Sequence, residues 1–194
     1  MSIAVVLVAV LPLGALAVEP APSTSFSNAS KLAHPLAPSA SFAQFGSASD
    51  TQALSAWLTW DWRGEGALGP RRVTGYWELA LSRWSYNGPN GRTRAWLGQL
   101  SVKPVFRYTL PTRNNAPWFI EVGVGASLTT VLYQTDTKRF STRFNFGDQI
   151  AFGRCLMAGC ASKLSLRIEH FSNGGIRQPN PGENFVQLRY LQRF

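Results

Sequence analysis

The chain has no long hydrophobic run. Its one sustained apolar stretch, residues 3–13, is well short of the ~20 residues a helix needs to span a bilayer. No helical membrane span is therefore expected. That stretch is followed by Ala15-Leu16-Ala17, a small-x-small pattern. Together they read as a secretory signal over residues 1–17, although no Lys or Arg precedes Lys31. Cysteine is scarce: Cys155 and Cys160 are the only two, and neither of the two histidines is close to them in sequence. A metal site is not expected on that basis. In an oxidising compartment a small disulfide across the turn at residues 156–159 is. Acidic residues are few, 10 against 19 Lys and Arg, which gives a net charge of +9. For an exported chain this charge suits anionic lipid head groups or phosphorylated sugars better than nucleic acid.

Residues 18–38 are rich in Ala, Pro and Ser and show no hydrophobic period, so they read as a disordered tether carrying His34. Residues 39–194 form one domain and contain no helical pattern. They divide into eight alternating segments separated by turn residues: 39–47, 54–62, 73–86, 95–108, 118–128, 142–154, 163–172 and 184–194. One face of these strands carries Leu, Val, Ile, Trp and Phe; the other carries Gly, Ser, Thr, Glu, Lys and Arg. An even number of strands, each near ten residues, is the signature of an eight-stranded antiparallel transmembrane β-barrel. Its interior would be filled by side chains, with Glu78, Glu121, Lys163, Arg167 and Glu169 pairing inside. Periodicity does not tell inside from outside, and a soluble lipocalin-like barrel would reverse the two faces. The last strand favours the membrane form. Val186, Leu188, Tyr190 and Phe194 share a phase, and a terminal aromatic of this kind resembles the assembly signal of bacterial outer-membrane proteins.

One segment carries chemistry. Along residues 163–172, Leu164, Leu166, Ile168, His170 and Ser172 fall on one face; Lys163, Ser165, Arg167 and Glu169 fall on the other. A base and a hydroxyl thus end an apolar stripe. A serine hydroxyl becomes a competent nucleophile once a base takes its proton. Glu183 follows the next hairpin loop and is the nearest carboxylate able to orient His170 as the acid of a triad does. Asn173, Asn180 and the backbone at Gly174 and Gly175 are candidate donors to an oxyanion.

The run Arg167-Ile168-Glu169-His170-Phe171-Ser172-Asn173-Gly174-Gly175-Ile176, continuing to Pro179-Asn180-Pro181-Gly182, resembles the signature of the lipid A 3-O-deacylase family. Trp60-Asp61-Trp62, Gly75-Tyr76-Trp77 and Phe144-Asn145-Phe146 add weaker matches. The resemblance implies an eight-stranded outer-membrane barrel with a cofactor-free serine esterase site facing the membrane near the outer leaflet. It implies Ser172 as nucleophile and His170 as base, with Asn173 supporting them and Asn180 with the Gly174-Gly175 backbone at the oxyanion. Lipid A within lipopolysaccharide is the implied substrate, outer-membrane lipid the surroundings, and a homodimer is left open. The family's acidic position falls at Asn184. Strict alternation likewise puts Asn184, not Glu183, in phase with Val186, so Glu183 would need a bulge or a one-residue shift to serve. Arg92, Arg94, Lys138, Arg139 and Arg177 are the loop cations available to lipid A phosphates. Two other readings use parts of the same pattern. One is an outer-membrane phospholipase, whose family resembles a longer, twelve-stranded barrel with an Asn as third member. The other is a non-enzymatic structural or adhesion barrel.

Overall fold

The computed structural model describes residues 37–62, 73–90, 94–111 and 116–194. The expected signal, nearly all of the tether with His34, the turn at 63–72 and Arg92 lie outside the described residues. Eight strands follow in order: β1 (Ala40–Ser47), β2 (Thr51–Asp61), β3 (Val73–Asn87), β4 (Arg94–Thr109), β5 (Trp118–Thr129), β6 (Phe144–Cys155), β7 (Ser162–Ser172) and β8 (Glu183–Arg193). Each pairs antiparallel with the next, and β8 returns to β1 with Arg193 opposite Ala40, closing the barrel. Among the described residues eight strands, rather than twelve, close the ring. The only helical piece among the described residues is a 3-10 turn at Ala158–Cys160. It lies in the hairpin between β6 and β7, where Cys155 and Cys160 are joined by a disulfide.

The strands begin and end close to where alternation predicts. β2 starts earlier, at Thr51, because the hairpin before it is tight: Ala48 N–H donates to Thr51 C=O at 2.8 Å. β6 starts later, at Phe144, because the preceding residues serve the loop, where Thr129 N–H donates to Arg143 C=O at 2.9 Å.

The apolar face points outward. Leu166 and Ile168 are 56% and 54% exposed, whereas the alternating Arg167 and Glu169 are 1% and 3%. An exterior of Leu, Val, Ile, Phe and Trp around a closed ring of strands suits lipid, because no backbone edge is left unpaired in hydrocarbon. The lipocalin-like alternative is thereby excluded. The interior is polar and ionic through its middle. Glu78 binds Arg189 at 2.5 Å and Arg167 at 3.2 Å; Glu121 binds Arg107 at 2.5 Å; Glu169 pairs with Lys103. Lys163 departs from the expected pairing and donates instead to Cys160 C=O at 2.9 Å.

Alternation left one interior feature unread. At the end of the barrel where the loops 130–143 and 173–182 emerge, the inside is aromatic. Trp84, Tyr86, Tyr133, Phe140, Phe171 and Phe185 pack together with Ala53 and Leu97. Trp84 sits 4.7 Å from Phe185 and 5.2 Å from Phe171, centroid to centroid. Two of these rings, Tyr133 and Phe140, come from the loop at 130–143, which plugs the barrel mouth. Such edge-to-face clusters add to the area they bury. They hold the ends of β7 and β8 firmly from within.

Candidate active site

β7 carries His170 and Ser172 on the outer wall, two residues apart and flanked by exposed apolar side chains. β6 and β8 lie on either side. The register of β7 with β8 is continuous and has no bulge: Ile168 opposes Val186, His170 opposes Asn184 and Phe171 opposes Glu183. Alternation then decides which residue of β8 stands beside the imidazole. Asn184 shares the outer face with His170, and its Oδ1 stands 2.7 Å from His170 Nδ1. An amide oxygen there accepts a proton held on Nδ1. In that tautomer Nε2 is the ring's acceptor.

Glu183 is therefore not beside His170, which corrects the expectation drawn from its position in the sequence. Its side chain points into the barrel and is buried. One carboxylate oxygen accepts from Tyr133 Oη at 2.8 Å, and the other takes Lys138 Nζ at 2.8 Å. Tyr133 Oη lies 2.6 Å from Thr51 Oγ1. Burial pushes the Tyr133 phenol up, so it keeps its proton and donates to Glu183. The carboxylate thus fastens the loop at 130–143 into the barrel mouth. Lys138, one of the loop cations considered for phosphate, is engaged in this bond. Arg94 is also engaged, with Ser85 Oγ at 2.8 Å and Gln52 Oε1 at 3.1 Å. Arg139 and Arg177 remain exposed.

The loop at 173–182 sorts the candidate oxyanion donors. Asn173 turns inward and is buried. Its Nδ2 donates to Arg177 C=O at 2.7 Å and Ser141 Oγ at 2.9 Å, and its Oδ1 accepts from Gly175 N–H at 2.9 Å. Its own backbone N–H donates to Asn180 Oδ1 at 3.0 Å. Asn173 and Asn180 thus knit the loop, and the Gly175 amide is spent within it. Gly174, at φ 64°, lies against Phe146, whose ring carbon would stand 3.1 Å from an added Cβ. Phe146 opposes Ser172 across β6 and β7. Of the expected donors, the Gly174 N–H and the Asn180 amide nitrogen carry no bond to another described residue.

Two residues were given no role by the sequence reading. Gly182 (φ 63°) packs on the imidazole so closely that an added Cβ would lie 2.4 Å from His170 Cε1. Asp148 opposes His170 from β6, on the lipid-facing side. Its signal was present: it interrupts a stripe of Phe144, Phe146, Ile150 and Phe152. Among the described residues no group of three His, Cys, Asp or Glu is placed to hold a metal ion.

Closed strands with an apolar exterior define an outer-membrane β-barrel, and its lipid-facing wall bears a histidine, a serine and an amide in register. The family model for lipid A 3-O-deacylase matches residues 52–193. The lipid A deacylase of Bordetella bronchiseptica is 38% identical over 117 residues, covering 60% of this chain and 61% of the relative. That of Pseudomonas aeruginosa is 31% identical over 134 residues, covering 69% of this chain and 73% of the relative. Among solved structures, the crystal structure of the outer membrane enzyme PagL superposes with a TM-score of 0.65 at 25% identity, covering 80% of this chain and 99% of that one. Neisserial surface protein A, at 9% identity and a TM-score of 0.50, shares the fold alone. The chain belongs to the lipid A 3-O-deacylase family.

Proposed function

We propose that this chain is a serine esterase of the outer membrane that removes the acyl chain esterified at the 3 position of lipid A. Ser172 is the nucleophile, His170 the general base and Asn184 the group that orients the imidazole. The observation that carries this reading is the 2.7 Å contact between Asn184 Oδ1 and His170 Nδ1 on the lipid-facing wall, beside Ser172. In a deacylase family, a base held in this tautomer next to a serine is the minimum an acyl transfer requires.

The chemistry follows in two halves. Ser172 Oγ adds to the ester carbonyl while its proton passes to His170 Nε2. The resulting oxyanion takes hydrogen bonds from the Gly174 N–H and the Asn180 amide. Collapse breaks the bond to the sugar oxygen, which receives the proton from His170, and an acyl-serine remains. Water then adds with the same base, and the fatty acid leaves. The acyl chain lies along the exposed wall at Phe144, Phe146, Ile150 and Ile168, so the scissile bond reaches Ser172 with its tail still in lipid. The loop end of β7 faces the outer leaflet, where lipid A resides. Arg139 and Arg177 are the exposed cations available to its phosphates.

The test is mass spectrometry of purified lipid A incubated with the folded barrel. Loss of one 3-hydroxyacyl group is expected with the wild type and no loss with Ser172→Ala. Retained deacylation by Ser172→Ala would refute the assignment of the nucleophile.

A further inference from the structure

The strands hold six carboxylates among the described residues: Asp61, Glu78, Glu121, Asp148, Glu169 and Glu183. Five fall in the inward phase, and Asp148 alone lies in the outward one. It stands between Phe146 and Ile150, on a wall that faces lipid, and forms no ion pair with any described residue. A charged side chain in that position is unfavourable, most of all without a partner. Yet the register sets it directly opposite His170. Residues directly opposite on one sheet face have Cβ atoms about 4.5–5.5 Å apart. The only lipid-facing carboxylate of the strands thus neighbours the histidine that the proposed esterase uses as base.

The opposite flank of that histidine is neutral. Asn184 fixes the tautomer from β8, but an amide brings no net charge to balance an imidazolium. The imidazolium forms each time Ser172 Oγ bonds to the carbonyl carbon and its proton moves to Nε2. In surroundings of low dielectric an unbalanced cation is strongly disfavoured, and a carboxylate within a few ångström offsets that.

We propose that in this chain the two duties of a triad acid are divided: Asn184 orients His170 from β8, while Asp148 supplies the negative charge from β6. Asp148 is a positioning and electrostatic residue. It takes no proton in the cycle, which passes from Ser172 to His170 and on to the departing alcohol. The inference rests on the Ser172–His170 esterase reading.

The test uses the full chain folded in detergent, with two readouts. One is the second-order rate at which a fluorophosphonate probe labels Ser172; the other is kcat and KM for release of the 3-hydroxy fatty acid from lipid A. Asp148→Asn is expected to lower the labelling rate and kcat by about ten- to a hundredfold, less than the loss of the base itself would cost because His170 stays in place, with KM little changed. Asp148→Leu, which leaves the lipid-facing wall uninterrupted, is expected to fold and to fall by the same factor. Adding Asn184→Asp to Asp148→Asn should restore most of the rate, since the charge then returns on the other flank. A merely structural role would show no such rescue. The proposal is overturned if both Asp148 variants fold and label at the wild-type rate. It is equally overturned if the double variant stays as slow as Asp148→Asn while Asn184→Asp alone is active. A wild type whose labelling depends on Asp148, but which releases no fatty acid from lipid A, would refute the lipid A reading and leave the role of Asp148 standing.

Discussion

Gly182→Ala is the sharpest probe of how the imidazole is held. Gly182 ends the loop before β8 at φ 63°. A Cβ there would lie 2.4 Å from His170 Cε1 and 3.0 Å from Nε2. Carbon atoms in ordinary contact sit about 3.5–4.0 Å apart, so the ring must retreat by roughly 1 Å. It has little freedom to do so, because its Nδ1 is held at 2.7 Å by Asn184. A displacement of about 1 Å in a reacting group costs on the order of 10²-fold, or about 2.7 kcal/mol in the barrier. The methyl in a left-handed backbone costs the fold about 1–2 kcal/mol besides. The assay is steady-state release of the 3-hydroxy fatty acid from lipid A in mixed micelles. Folding is checked by the electrophoretic shift of the unheated barrel. The expected result is a folded barrel with kcat down by about 10²-fold and KM almost unchanged. A folded variant with kcat within about threefold of the wild type would refute the claim that this contact fixes the base.

Two further substitutions separate the residues at the start of β8. Asn184→Ala removes the acceptor at His170 Nδ1 and is expected to lower kcat by about 10²-fold at unchanged barrel stability; wild-type turnover would show that the imidazole needs no partner there. Glu183→Gln is expected to leave kcat near wild type. It should weaken the loop at 130–143 by about 1 kcal/mol or less, because Lys138 is 26% exposed and its pairing is screened. Thermal melting read from near-ultraviolet circular dichroism checks the second, and a collapse of kcat in Glu183→Gln would return that residue to the catalytic set.

Most of the barrel was legible because each strand has one face in lipid and one in a polar interior, which is the condition under which a period of two is cleanest. The same rule located His170 and Ser172, and it already placed Asn184 rather than Glu183 in their phase. Chemical type argued the other way, since Glu183 is the nearest carboxylate in sequence apart from Glu169, which takes the opposite face. Register won, because shifting it by one residue would turn Val186 and Leu188 inward and Phe185 outward. The task of Glu183 was not legible, as it depends on Tyr133 and Lys138, about 50 and 45 residues away. Strand alternation says nothing about where a loop folds back. Asn173 and Asn180 were legible as a pair of polar loop residues, but the closure of the loop upon itself, which occupies the Gly175 amide, is a matter of turn geometry. Lys163 failed for a similar reason: it sits at the end of its strand, within reach of the carbonyl at Cys160 and outside the ionic layer of Glu78, Glu121 and Glu169.

The outward stance of His170 and Ser172 has a consequence for kinetics. Their wall is bounded by hydrocarbon, so the lipid substrate of the proposed esterase arrives sideways, by diffusion in two dimensions, and its tail never crosses water. What governs occupancy is the mole fraction of that lipid in the leaflet, and bulk concentration enters only through it. A Michaelis constant for this site is a surface density, and diluting the leaflet with inert lipid acts on it as a competitor would.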